Sequence, residues 1–142
     1  MKYRILAAIL TTVLITTGLQ AKEEREMEAI TEVIEQFKES GDRQNPELAQ
    51  PILHDNFTLF YFGGEEWVTT TKGGYIKALE AKVIGGVERN IRVEEVKITG
   101  AVATAHVQFS SDEALFDQFV NLVKSESGWQ IVNIVLNFQP KG

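Results

Sequence analysis

The sequence contains no cysteine, and this absence limits how the chain can be stabilised and anchored. Without cysteine there is no disulfide framework, so a hydrophobic core must hold the fold by itself. A lipoprotein anchor is excluded too, because it is built on a cysteine. Only two histidines occur, His54 and His106, and they lie far apart on different predicted elements, which argues against a metal site. We therefore expect neither a metal nor any other cofactor.

Basic residues are also scarce, and this limits the partners of the chain. The sequence has 14 Lys and Arg against 20 Asp and Glu, for a formal net charge of −6. Nucleic acid and anionic lipid both reward clustered basic side chains, so neither is an expected partner. Long apolar runs are missing as well. The candidate run, Ile5 to Thr17, covers 13 residues, fewer than the roughly 18–20 that a membrane-spanning helix needs.

The first 21 residues instead match a secretory signal peptide. Lys2 and Arg4 form a basic start, the apolar run follows, and Ala21 is a small residue suited to signal peptidase. Cleavage there removes two of the 14 basic residues and none of the 20 acidic ones, so the net charge falls from −6 to −8. We expect residues 1–21 to be a signal peptide and residues 22–142 to be one exported domain, periplasmic or secreted. No membrane partner is expected after cleavage.

The spacing of apolar residues changes along the chain and indicates the fold class. Apolar residues recur at helical spacing from Glu23 to Ser40 and again from Tyr75 to Val83. Between these helices, NFTLFYF (56–62) is typical of a strand, and the later glycine pairs, such as Gly85-Gly86, are interpreted as loop punctuation. Four more strands with tight turns follow: 89–98, 101–109, 113–124 and 129–138. This order predicts an α+β domain with helices on one face of a curved antiparallel sheet.

Strand pairing predicts which face of that sheet is buried. A two-residue turn at 111–112 pairs His106 with Asp117, and a three-residue turn at 126–128 pairs Asp117 with Asn137. One resulting face is almost wholly apolar and is expected to bury against the helices. The opposite, outer face mixes polar and apolar residues, including Ile131, and suits a subunit interface. We expect a homodimer through this face, with contacts from His106, Asp117, Phe119, Asn121, Trp129, Asn133 and Val135.

The outer face also carries the most suggestive pair in the sequence, His106 and Asp117. A histidine opposite a carboxylate on an exposed sheet is usually a modest cross-strand pair. A catalytic dyad would also need a nucleophile or a water-shielded pocket, and no serine or cysteine on that face obviously supplies one. We interpret the pair as structural.

A ligand pocket would open on the apolar face, between the helices and the sheet. By the predicted pairing, the few polar sheet residues on that face are Arg92, Glu94 and Gln118. Tyr61, Trp67 and Tyr75 are candidates for the open end, although core packing explains them equally well. The expected ligand contacts are Gln118, Ile134, Val120, Leu136, Tyr61, Trp67, Tyr75 and Arg92.

The order of these segments resembles a known family. EAITEVIEQFKESGD, then LHDNF, then TTTKGGYIKALEAK and a meander ending in GWQIVNIV are similar to the putative lumazine-binding branch of the NTF2-like superfamily. That branch is similar in fold to ketosteroid isomerase and the SnoaL-like cyclases, which implies a cone of helices packed into a strongly bent sheet. In this branch an aspartate is common where the chain has Gln118 and a lysine where it has Ile134. The resemblance therefore implies that a pocket ion pair has been replaced here.

Three functional hypotheses follow from the sequence. The first is a protein that binds a small apolar or aromatic molecule without transforming it. The second is an isomerase, dehydratase or cyclase that uses Glu94, His54 or Tyr75 as acid or base, although Glu94 needs an enclosed site and a simple turn also explains His54. The third is a protein-interaction module whose cavity is filled by its own side chains.

Overall fold

The structure, a computed structural model, describes residues 2–142, with side chains from residue 17 onward. Most of the predicted signal peptide, residues 1–21, lies outside the residues whose side chains are described. Cleavage and export therefore stay predictions. Within the described part of the chain, no helix has both the length and the apolar character needed to cross a membrane.

Three helices and six strands make up the described chain. In order they are α1 (Lys2–Asp42), α2 (Pro46–Ala49), β1 (Leu53–Phe62), β2 (Trp67–Thr71), α3 (Lys72–Glu80), β3 (Asn90–Thr99), β4 (Val102–Ser110), β5 (Ala114–Ser125) and β6 (Gly128–Pro140). The two predicted helices and the five predicted strands are all present. Strand β2 was not predicted. It is short and ends at Thr71, whose hydroxyl accepts a hydrogen bond from the Gly74 N–H as the cap of α3.

The six strands form one sheet in the order β2-β1-β6-β5-β4-β3. Neighbours are antiparallel except β1 and β6, which are parallel because the meander returns its last strand beside the first. Helix α1 packs on the apolar face of this sheet and buries Ile30, Ile34 and Phe37. The predicted α+β architecture is confirmed, with this one parallel pair as the difference from the expected antiparallel sheet.

The register between β4 and β5 differs by two residues from the prediction. His106 lies opposite Phe119, and Asp117 lies opposite Gln108. Three residues, 111–113, connect the two strands, and the Ser111 N–H donates to the Ala114 carbonyl, so the turn is centred on residues 112–113 rather than 111–112. Because side chains alternate with a period of two, an even slip leaves each one on its predicted face.

A β-bulge in β6 corrects two predictions about the outer face. Asn121 pairs with Asn133 as predicted, but Leu122 then pairs with Ile131, which leaves Val132 as an extra residue. The bulge reverses the facing of every earlier residue in β6. Ile131 is fully buried and Trp129 is 5% exposed, so the prediction that these two lie on the outer face is wrong.

A second β-bulge, in β3, corrects the placement of Arg92 and Glu94. Val93 pairs with Val107 and Glu95 pairs with His106, so Glu94 is the extra residue. Arg92 therefore faces outward, with its side chain 74% exposed and its Nε 2.7 Å from the Glu94 carboxylate. The prediction that Arg92 and Glu94 are polar residues of the core face is wrong.

Glu26 ties α1 to the hairpin formed by β5 and β6. Its carboxylate accepts hydrogen bonds from Lys124 and from Trp129 Nε1. The hydrogen bond from Lys124 is the main reason that the pKa of Glu26 lies below its ordinary value, and the bond from Trp129 adds to it. The inward-facing Trp129 thus gains a partner for its indole N–H.

Candidate functional site

An open cavity of about 950 Å³ lies between the helices and the apolar face of the sheet. This volume is within the range of roughly 300–1,000 Å³ that is usual for small-molecule sites. The end of α1, strand β1, helix α3, the segment before β3 and the ends of β5 and β6 form its walls. Most lining residues are apolar or aromatic: Phe37, Leu59, Tyr61, Phe62, Tyr75, Ala78, Ile84, Val87, Ala114, Phe116, Leu136, Phe138 and Pro140.

Gln118 is a buried polar side chain in the wall of this cavity. The residue is 2% exposed, and its amide nitrogen has no hydrogen-bond partner among the described residues. An unpaired buried donor costs about 1–3 kcal/mol. Its place on the apolar face agrees with the sequence prediction. The cavity wall therefore contains a buried amide nitrogen that no described residue pairs.

Arg89 brings a positive charge into the cavity wall and is held there by Asp42. Its Nε lies 2.6 Å from Asp42 Oδ1, its backbone N–H donates to Oδ2 at 3.0 Å, and its Nη2 donates to the Lys38 carbonyl at 3.0 Å. Lys38 Nζ binds the same carboxylate at 2.7 Å. Burial alone would raise the pKa of Asp42, but the hydrogen bonds from Lys38 and Arg89 outweigh it and hold that pKa below its ordinary value.

Two aromatic rings support the Arg89 guanidinium. Its central carbon lies 5.0 Å from the centre of the Phe109 ring and 4.9 Å from that of Phe116, which also lines the cavity. Both distances suit cation–π contacts. Sequence reasoning missed Arg89, because it lies in the polar stretch Glu88-Arg89-Asn90 and no local pattern distinguishes it from a surface arginine.

The segment that carries Arg89 approaches α1 very closely at Gly85. A side chain there would place its Cβ 2.0 Å from the Gly41 carbonyl oxygen, and Gly85 has φ of +75°. The next residue, Gly86, donates its N–H to the same carbonyl at 3.0 Å. The interpretation of this glycine pair as loop punctuation was incomplete, since the glycines let this part of the cavity wall lie against the helix.

Tyr75 lines the cavity beside this cluster. It is 7% exposed and stacks on Phe37 with ring centres 5.3 Å apart. Burial raises the pKa of the Tyr75 phenol, and a hydrogen bond with the Ser40 hydroxyl opposes that rise only in part. The phenol is therefore a neutral group that can donate a hydrogen bond at ordinary pH.

The structure brings together half of the ligand contacts predicted from the sequence. Gln118, Leu136, Tyr61 and Tyr75 line the cavity. The other four predicted contacts do not line the cavity. Val120 and Ile134 are opposite each other on β5 and β6 and are fully buried core residues. Arg92 faces outward beyond the β3 bulge, and Trp67 is 53% exposed and stacks on Phe60 with ring centres 4.9 Å apart.

The candidate acid–base residues are also separated by the fold. Glu94 and His54 are not among the lining residues, whereas Tyr75 is. His54 Nδ1 accepts the backbone N–H of Asn56 at 3.0 Å, so its ring closes a turn at the start of β1. Of the three residues, only Tyr75 could act on a molecule in this cavity.

The polar residues of the outer sheet face pair with one another. His106 Nε2 lies 2.7 Å from Asp117 Oδ1, and the imidazole stacks on Phe119 with ring centres 4.7 Å apart. Asn121 donates to Asn133 at 3.0 Å. These residues are on the opposite side of the sheet from the cavity, together with the exposed Val135. The faces of six of the seven predicted interface residues are thus as expected, with Trp129 the exception.

Comparisons with known proteins identify relatives of this fold. Residues 25–137 match the family described as "Putative lumazine-binding". Among curated proteins, no sequence matches the chain significantly. A solved NTF2-like protein of unknown function from Silicibacter pomeroyi is 18% identical with a TM-score of 0.73, over 84% of this chain and 98% of that one.

Two further solved structures have a similar fold. An NTF2-like protein of unknown function from Shewanella baltica is 22% identical with a TM-score of 0.72, over 82% of this chain and 96% of that one. A ketosteroid isomerase-like protein from Erwinia carotovora atroseptica is 14% identical with a TM-score of 0.66, over 80% and 95%. At these identities the likeness concerns the fold.

Proposed function

The chain belongs to the putative lumazine-binding family of NTF2-like proteins, and we propose that it is an exported protein whose cavity binds a small, largely apolar or aromatic molecule without transforming it. The observation that carries this proposal is the cavity of about 950 Å³ with its mostly apolar wall. Sites of this kind bury most of a small ligand and orient it with a few polar groups. Gln118 and Arg89 are such groups here.

Binding fits the cavity better than either alternative. Two of the three candidate acid–base residues, Glu94 and His54, lie outside it. The third, Tyr75, is a neutral phenol, and the carboxylate among the lining residues is that of the exposed Glu113. A module with a filled cavity would not have this volume open between helices and sheet. The family description makes lumazine a natural first probe, although Gln118 gives the wall a neutral amide where the family commonly carries an aspartate.

We also propose that two copies associate through the outer face. Four exposed residues there form a cluster that we call the outer-face cluster: Phe60, Trp67, Phe119 and Val135, which are 36% to 54% exposed. Contiguous exposed apolar side chains on a soluble domain typically mark an interface. This cluster is on the opposite side of the sheet from the cavity, so a dimer would leave the cavity mouth open.

The test is native mass spectrometry of protein purified gently from an exporting host. A reproducible added mass, lost in the variant Ala78→Phe, would support the proposal, because Ala78 lines the cavity and a larger side chain there takes up ligand volume. The matched control is Ala81→Phe, the same substitution at an exposed position just beyond α3. If neither a co-purified molecule nor an added planar aromatic compound, lumazine included, binds the cavity, the proposal is wrong.

A further inference from the structure

We propose that the ligand of this cavity is a planar aromatic carboxylic acid, with its ring against the aromatic wall and its carboxylate at Arg89. The inference rests on the proposed function, because it specifies the chemistry of a ligand in the same cavity. The apolar wall alone indicates an uncharged aromatic ligand, and the inference adds a negative charge to that ligand.

The first step is the net charge of the buried cluster. Lys38 and Arg89 both bind the carboxylate of Asp42, so two cations share one anion. The side chains are 18%, 11% and 6% exposed respectively, so water screens the remaining positive charge only weakly. Of the three residues, Arg89 lines the cavity. An anion bound there would balance the cluster.

The second step is the unused hydrogen-bonding capacity of Arg89. Its Nε donates to Asp42 and its Nη2 donates to the Lys38 carbonyl, whereas Nη1 makes no hydrogen bond within the described part of the chain. Guanidinium groups bind carboxylates through such free N–H groups, and these bonds are about twice as strong as neutral ones. The acidic residue among the lining side chains, Glu113, is exposed, so water weakens its competition for Arg89.

The third step is the surroundings of the guanidinium. Arg89 Nη2 and the Tyr75 hydroxyl lie 2.7 Å and 3.5 Å from the position that a Cβ at Gly41 would occupy, so a neutral donor stands beside the cation. The rings of Phe37 and Tyr75 stack on each other, and Phe116 lies under the guanidinium. Flat aromatic faces next to two donors suit a flat molecule with a negatively charged edge, and they disfavour a cation.

The experiment compares three molecules of one ring system by isothermal titration calorimetry near neutral pH. They are 2-naphthoate, the neutral 2-naphthamide and the cationic 2-naphthylmethylammonium. We expect the acid to bind about 10- to 100-fold more tightly than the amide, and the cation to bind more weakly than both. In the double variant Arg89→Met/Asp42→Asn, the affinity for the acid should fall until acid and amide bind about equally. The matched control is Arg92→Met, which removes an exposed arginine on the outer face and should change neither affinity.

Equal affinities for acid and amide in the unaltered protein would overturn the inference and leave the proposed function intact. A preference that survives in the double variant would overturn it as well, because another group would then hold the anion. If the double variant does not fold, the comparison of the three molecules in the unaltered protein still decides. Failure of all three, and of lumazine, to bind would instead contradict the proposed function.

Discussion

Replacing Gly85 with alanine should test how the cavity wall is built. The added Cβ would lie 2.0 Å from the Gly41 carbonyl oxygen and 2.9 Å from its carbon, both backbone atoms that cannot turn aside. The segment must therefore retreat by about 1.4 Å to reach ordinary contact at 3.4 Å, which breaks the hydrogen bond from Gly86 to the same oxygen, worth about 0.5–1.5 kcal/mol. A left-handed conformation adds about 1–2 kcal/mol for a residue with a side chain. With the lost packing, we expect Gly85→Ala to lower the free energy of unfolding by about 3 kcal/mol or more.

The control for this experiment is Gly100→Ala in the turn between β3 and β4. Gly100 also has a positive φ, +58°, but a Cβ there meets no atom within 4 Å. It therefore isolates the conformational cost, about 1–2 kcal/mol. Equilibrium unfolding in urea, analysed at a common m-value, measures both variants. If the two variants lose the same stability, the close approach of the segment to α1 adds no stability beyond the conformational preference of glycine.

Three further predictions concern the cavity wall and the outer face. Gln118→Leu should raise the free energy of unfolding by about 1 kcal/mol, because it removes an unpaired buried amide. The same variant should bind ligand more weakly. A lower free energy of unfolding in urea would contradict the first expectation. The pKa of Asp42 is lowered in the folded protein, so its stabilising effect is complete above the unfolded value of about 3.9 and is lost as the pH falls through the folded pKa. Asp42→Asn should flatten that part of the stability–pH curve, and an unchanged curve would refute the role of the carboxylate. Phe119→Lys should convert the proposed dimer to a monomer in analytical ultracentrifugation, while its far-UV circular dichroism stays that of the unaltered protein; unaltered protein that sediments as a monomer would rule out the interface.

The fold was predictable because its signals are local and repeated. Helical spacing over Glu23–Ser40 and period-two alternation after Glu88 fixed the class and most of the boundaries. The wrong register between β4 and β5 did little harm, since an even slip preserves the faces. The bulges in β3 and β6 caused larger errors in the predicted faces. One extra residue moves every side chain on one side of the bulge to the opposite face of the sheet, as Arg92 and Trp129 show. No propensity in the sequence marks either bulge.

The site was less predictable because its parts come from distant segments. Gln118 stood out as a polar residue in an apolar alternating pattern, and Leu136 followed from the same parity. Arg89 and Asp42 are 47 positions apart. Asp42 is the last residue of α1 and Arg89 lies in a polar stretch, and charged residues are common in both places. Only the three-dimensional packing of the 84–89 segment on α1 shows that their charges are buried together.

The bulge in β3 also has a consequence for how copies of the protein can meet. Strand β3 is an edge of the sheet, with backbone groups that could pair with a strand of another molecule. An extra residue at Glu94 interrupts the regular spacing of those groups, and the charged side chains of Arg92, Glu95 and Lys97 stand exposed along the same strand. Edge-to-edge extension of the sheet is therefore disfavoured at the β3 edge, which agrees with the proposal that copies associate through the outer sheet face.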